Sequence, residues 1–319
     1  MKKITTHQFS ALLLITLLVF TSFSCYKEEF PGRPTVALVV KTLNNPFFND
    51  MQTGAEEMAR ELEINLIVQA AEREVDVEQQ VQIVENLIQR RVDAIMLTPS
   101  GSREVVPVIA SANRNNIPII NLDTRVDADL LASDNAFVST FIGSDNYEGG
   151  LIAGRYVGEQ LNGVGKVAIL EGIPGHETAD SRQQGFLSGI GEYPGIEIVT
   201  SQTANWERNM GYTVFQNILQ SFNDVQAVFA ASDLMALGAV EAIASSGRGP
   251  DDIIVVGFDA HVEAVDAIRR GVMHATIAQN PYEIGRAGVE YAYKVLNGEE
   301  IPNNINVEIK LITRDNVDE

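Results

Sequence analysis

Val36–Val40 is an unbroken run of five apolar residues, and similar short runs recur along the chain, separated by amphipathic segments. Successive side chains of a strand point to opposite faces, so a strand that is apolar throughout must be covered on both. The intervening segments have helical spacing. Met51, Ala55, Met58 and Leu62 line one face of Asp50–Leu62, and Val77, Val81, Val84, Leu87 and Ile88 line the next. Strands are expected at Ile64–Val68, Ala94–Leu97 and Ile117–Leu122, with a helix at Glu104–Asn115. This alternation describes a parallel sheet with helices on both faces.

The series then starts again. Phe141–Gly143, Lys166–Leu170, Ile196–Ser201, Ala227–Ala230, Ile253–Phe258 and Ala275–Ala278 are expected as strands, and Val307–Ile312 as a single closing strand. Helices are expected at Tyr147–Leu161, around Ser181–Ile190, and at Glu207–Gln220, Leu234–Ser245, Val262–Arg270 and Tyr282–Leu296. Two successive arrays imply an α/β fold of two doubly wound parallel-sheet lobes, and 319 residues are enough for both. Ligands of such sheets bind beyond the carboxyl ends of the strands. Asn44-Asn45, Asp123 and Asp259 fall there. Each is also ordinary turn chemistry, and it is their recurrence in both arrays that points to a site. The stretch LNNPFF (Leu43–Phe48) places two adjacent aromatic rings in what reads as a loop, so something must cover them.

Ahead of the first array, Lys2 and Lys3, the apolar Ala11–Phe20 and the mostly small Thr21–Ser24 read as a secretory signal peptide over residues 1–24. Its apolar stretch is short for a membrane span. The only cysteine, Cys25, follows directly and resembles the lipid acceptor of a bacterial lipoprotein; residues 25–34 form the tether. A lone cysteine excludes a disulfide within the chain. A net charge of −20 without a Lys/Arg-rich segment argues against nucleic acid as a partner. Export argues against ATP or NAD, and no cofactor is expected. His176, Glu177 and Asp180 lack metal-ligand spacing. Gly163–Val167 precedes a strand, whereas a phosphate loop follows one, and no Gly-x-Ser-x-Gly elbow is present.

The segments ALVVKTLNNPFF, PIINLDTR, IGSDN, DVQAVFAASDLMALGA, VVGFDA and ATIAQNP occur in that order. Together they resemble the periplasmic sugar-binding proteins of ABC importers, the ribose-binding ones above all, over nearly all of Thr35–Leu311. The resemblance implies the type I periplasmic binding protein fold: lobes 35–143 plus 281–308 and 144–280 plus 309–319, joined by a three-strand hinge, with the sugar between them. It implies that Asn45 donates to a sugar hydroxyl and that Phe47 and Phe48 stack on one face of the ring, with Trp206 opposite. It also implies that Asp123 accepts, that Arg182 donates, and that Arg125, Ser232, Asp259 and Gln279 complete the polar rim. Ribose binders have Asp-Arg adjacent, but here Thr124 intervenes. Either Arg125 reaches back to the sugar or Thr124 replaces the donor. Ser232 stands where that pattern has Asn, and Trp206 where it usually has Phe. A pentose, a hexose and a sugar alcohol therefore all remain open as ligand. The expected partners are a monosaccharide or polyol and an inner-membrane ABC permease, with membrane contact through the lipid anchor only, for a monomer in the periplasm or at the cell surface. The alternative output is a sensor module presenting sugar to a chemoreceptor or histidine kinase. The loop Gly172–Asp180, with His176 and Glu177, adjoins the expected cleft.

Overall fold

A computed structural model describes residues 32–318, and those from Pro34 onward form one body. The leader, Cys25 and the tether up to Pro31 lie outside the described residues. The first strand, β1 (Thr35–Thr42), is covered on both faces. Val36, Leu38 and Val40 pack with Phe48, Met51 and Ala55, whereas Ala37 and Val39 pack on the other side with Val84 and Leu87. None of the five strand residues is exposed, as an all-apolar strand requires.

β2 (Asn65–Ala71), β3 (Ala94–Leu97), β4 (Ile119–Leu122), β5 (Thr140–Ser144) and β11 (Asn304–Val307) join β1 in an all-parallel sheet of order β11-β5-β4-β3-β1-β2. The second sheet contains β6 (Val164–Glu171), β7 (Gly195–Thr203), β8 (Ala227–Ala230), β9 (Ile254–Asp259), β10 (Ala275–Ala278) and β12 (Lys310–Thr313), in the order β12-β10-β9-β8-β6-β7. Only β12 runs antiparallel to its neighbour. Without β11 and β12, the two sheets have the same strand permutation. Each therefore has its topological switch point beside its first strand, where open α/β sheets bind ligands.

The helices are α1 (Pro46–Glu61), α2 (Val77–Gln89), α3 (Val106–Arg114), α4 (Ala128–Ser133), α5 (Asn146–Gln160), α6 (Glu177–Ile190), α7 (Arg208–Ser221), α8 (Asp233–Ser245), α9 (Val262–Arg269) and α10 (Pro281–Leu296). α10 returns to pack on α1, just as α5 packs on α6. Both helix pairs approach closely. A Cβ at Gly285 would strike the Met51 carbonyl, and one at Gly185 the Tyr147 carbonyl. Among the described residues the chain passes between the sheets three times, at 144–146, 278–281 and 307–310.

Three elements differ from the sequence expectation. The closing strand expected at Val307–Ile312 is two strands, β11 in the first sheet and β12 in the second. Neither Gly nor Pro marks the crossing, so apolar content runs straight through it. α1 starts at Pro46 rather than Asp50, because Asn45 Oδ1 caps it by accepting from Phe47 N (3.1 Å) and Pro46 is preset for the first helical position. α4 was not expected: it buries no residue, so no apolar period announces it.

Candidate ligand-binding site

The carboxyl ends of both sheets face a shared crevice of only about 30 Å3, far below the usual range of ligand pockets, so a ligand is admitted only as the two walls part. Its first wall begins with the aromatic pair. Phe47 and Phe48 lie in the first turn of α1, at 4% and 2% exposure, edge to face with centroids 5.3 Å apart. They line the crevice and also belong to the core beneath α1. Asn45 both caps α1 and donates from Nδ2 to Glu74 Oε1 (2.9 Å). Burial pushes the Glu74 carboxyl up, against the pull of Lys41 and of the Asn45 hydrogen bond.

Lys41, one residue before the end of β1, carries a buried ammonium. Its Nζ donates to Thr124 Oγ1 (2.7 Å) and lies 3.3 Å from Asp123 Oδ2. Thr124 Oγ1 donates to Asp123 Oδ2 (2.9 Å) and meets Thr178 Oγ1 of the second lobe at 2.8 Å. Asp123 has φ 61, a left-handed conformation that turns it out of the end of β4. One of its oxygens is anchored; Oδ1 accepts nothing among the described residues.

The second wall is built around Arg182. Its guanidinium lies over the Phe258 ring, 3.8 Å from the centroid. Nε donates to Asn146 Oδ1 (2.9 Å), and Nη1 donates to the Ala231 carbonyl (2.7 Å) and to Asp259 Oδ1 (3.4 Å). Nη2 makes no hydrogen bond among the described residues. Asp259 has φ 115, a region that L residues rarely adopt. Gln279 Nε2 donates to its Oδ1 (2.8 Å), while Oδ2 is 3.7 Å from His261 Nε2. Fully buried Asp233 fixes the turn: Oδ2 accepts from His261 N (2.8 Å) and Oδ1 from Thr276 Oγ1 (2.7 Å). Burial raises both carboxyls, Asp233 well above its ordinary value with Asp259 adding repulsion; Arg182 opposes the rise at Asp259.

Trp206 has φ 66 and lies against Gly172, where any Cβ would strike the indole. Its Nε1 is buried without a partner among the described residues, and its ring is 5.6 Å from the Arg182 guanidinium. Ser232 caps α8 through a 3.5 Å bond from Met235 N.

The structure thus gathers Asn45, Phe47, Phe48, Asp123, Arg182, Trp206, Ser232 and Asp259 around one crevice, with Gln279 behind Asp259. It does not bring Arg125 there. That guanidinium lies 3.7 Å from the Phe141 centroid and donates from Nη2 to Asn304 Oδ1 (2.6 Å), in a polar groove beside the crossings. The inserted Thr124 takes the inward position. Lys41, Glu74 and Thr178 also line the crevice. A lysine near the end of an apolar strand was a legible signal for the first. Nothing distinguishes Glu74 among the charges of Glu72–Glu78, or Thr178 within its loop. A larger depression, framed by Lys166, Glu197, Asp224 and Arg248, lies at the amino ends of the second sheet, away from the switch point.

Aromatic faces suit the C–H surfaces of a compact ligand, and half-anchored carboxylates suit its hydroxyls. Three acids and two bases around a small space suit a neutral, hydroxyl-rich molecule better than a strongly charged one. Among the described residues no group of three or more His, Cys, Asp or Glu converges to hold a metal. A crevice closed between two doubly wound lobes defines a solute-binding protein. Residues 36–300 match the periplasmic binding protein domain, and the chain belongs to that family. It is 38% identical to the ribose import binding protein of Bacillus subtilis (strain 168), over 90% of this chain and 88% of the relative. It is 33% identical to the D-allose-binding periplasmic protein of Escherichia coli (strain K12), over 86% and 89%. An ABC transporter periplasmic solute-binding protein from Actinobacillus succinogenes 130z, solved with bound D-allose, superposes with a TM-score of 0.85 at 39% identity, covering 89% of this chain and 99% of that one. These similarities define a transport-associated binding protein, not an enzyme.

Proposed function

We propose that this protein captures a monosaccharide of the ribose and allose kind between its lobes and delivers it to an ABC permease. The observation that carries this reading is the gathering of Phe47, Phe48 and Trp206 around one crevice together with Asp123, Arg182 and Asp259. In this reading the rings sandwich the sugar, Asp123 Oδ1 and Asp259 Oδ2 accept from hydroxyls, and Arg182 Nη2 donates. A hydrogen bond to a charged group contributes about 1.5–3 kcal/mol net, and a micromolar complex needs about 8 kcal/mol. A few such bonds plus stacking therefore suffice after ordering. Lobes 35–143 plus 281–308 and 144–280 plus 309–319 move about the three crossings. The exported chain is anchored through a thioether on Cys25 and acts as a monomer.

D-Ribose and D-allose in their pyranose forms share the configuration of three ring hydroxyls; allose adds a hydroxymethyl group. Lys41 and Glu74 add a donor and an acceptor to the rim, which favours the larger sugar. Calorimetry with D-allose, D-ribose, D-glucose and sorbitol tests this. The expected result is binding of both named sugars at micromolar Kd or tighter, allose ahead of ribose. No heat and no thermal shift with any aldose or polyol overturns the reading.

A further inference from the structure

The amino end of α6 holds the two lobes together. Thr178 meets Thr124, and Glu177 N donates to Ser102 Oγ (3.3 Å). His176, at the cap position just before α6, is 4% exposed, and its ring lies beside the backbone of Ser100. Ser100 lies beyond β3, in the other lobe, so the imidazole is buried by closure itself. Nδ1 has no partner. Lys41, on β1, is the charged group that acts on the ring from across the crevice. On its own side, Glu177 Oε1 accepts from Ser181 Oγ, and Asp180 pairs through its backbone N with the His176 carbonyl. Among the described residues no carboxylate pairs with the ring. A protonated ring would be a buried cation beside a second cation, at the positive end of a helix.

We propose that His176 is a proton-sensitive latch: the lobes close over ligand only on the neutral imidazole, so capture weakens as the medium turns acid. This rests on the sugar-binding reading above. Burial, reinforced by Lys41, pushes the ring down to about 3 in the closed form. An exposed ring titrates near 6.5, so protons bind the open form preferentially and closing expels one. The closed form is fully favoured above that ordinary value and loses ground as pH falls below it. Between about pH 8 and about pH 5 the ring alone weakens binding about 30-fold, for any closed-form value below about 4. Glu74 and Asp259, raised by burial, act in the opposite direction, so the test compares two proteins rather than two pH values.

D-Ribose and D-allose are titrated into the native protein and into His176→Asn and His176→Gln at both pH values, and the ring proton is followed by NMR in the native protein. The expected outcome is an acid-to-neutral Kd ratio at least tenfold larger in the native protein than in the variants, with the ring titrating far below its ordinary value once sugar is bound. Equal ratios, or a ring titrating near its ordinary value with sugar present, overturn the latch. If neither sugar binds at neutral pH, it is the sugar reading that fails. Small-angle X-ray scattering of the ligand-free proteins then decides the latch, which stands if the native protein is more open at about pH 5 than at about pH 8 while the variants are not, and falls if native protein and variants respond alike.

Discussion

β4 and β9 hold the same place in their sheets, and each leads into an aspartate with positive φ, Asp123 at 61 and Asp259 at 115. Each aspartate has one oxygen anchored near a cation, Lys41 at 3.3 Å and Arg182 at 3.4 Å, and the other without a hydrogen bond among the described residues, although Asp259 Oδ2 lies 3.7 Å from His261 Nε2. The lobes thus repeat a backbone device but equip it differently. Lys41 holds its aspartate with a single ammonium on a flexible stem, shared with Thr124. Arg182 is a planar fork lying over Phe258, with three hydrogen bonds, and its aspartate is held by Gln279 within a turn pinned by Asp233. The first wall brings rings; the second brings a preformed polar frame. Preformed groups bind without a further ordering cost, so the second wall should dominate affinity.

The sharpest test removes the two cations separately. Arg182→Ala leaves Asp259 buried and unpaired, a loss of about 3 kcal/mol or more, so calorimetry should show sugar affinity down by at least about 100-fold. Arg182→Lys should recover little of it, because an ammonium cannot reproduce the fork. Lys41→Met should cost nearer tenfold, since Thr124 still anchors Asp123. Equal losses from the two removals would break the contrast between the walls.

Next come the aspartates. Asp259→Asn and Asp123→Asn each remove a charged acceptor worth about 1.5–3 kcal/mol, or roughly 10- to 100-fold. Asp259→Asn should lie at the upper end and Asp123→Asn at the lower. The reverse order would make the first wall the primary recognition surface. A smaller effect is expected from Trp206→Phe, which keeps an aromatic face but leaves the space opened by Gly172 underfilled. Stacking differences of about 0.5–1.5 kcal/mol correspond to roughly 2- to 10-fold. Tryptophan fluorescence of the native protein, whose only tryptophan is this one, should change on sugar addition.

The doubly wound arrays were legible because strands buried on both faces read as unbroken apolar runs, as Val36–Val40 does. The break between β11 and β12 was hidden because Ile305, Val307, Ile309 and Leu311 keep apolar residues coming through the crossing. At the crevice, aromatics and acids beyond strand ends stood out as out of place: Phe47, Phe48, Asp123 and Asp259. The supporting rank did not. Asp233 and Asn146 look like ordinary helix-start residues, and only the fold shows that one pins the Asp259 turn and the other holds Arg182. Asn45 illustrates the ambiguity from the other side, because it is both a helix cap and a rim residue, and composition registers only the cap.

Arg125 should show the smallest effect. The sequence admitted it to the rim on the strength of a neighbouring aspartate, with Thr124 as the alternative donor. In the fold the inserted threonine turns inward, between Lys41 and Thr178, and sends the arginine out onto Phe141 and Asn304. There it ties the segment after β4 to β11, beside the crossings. An exposed cation–π contact contributes about 0.5–1 kcal/mol, so Arg125→Ala should lower the melting temperature slightly and change sugar affinity by less than about twofold. Thr124→Val, by contrast, removes the hydroxyl that anchors Asp123 and meets the second lobe, and should weaken binding more than Arg125→Ala does. If the ranking is inverted, Arg125 reaches the sugar after all, and the first wall carries a guanidinium of its own to match Arg182.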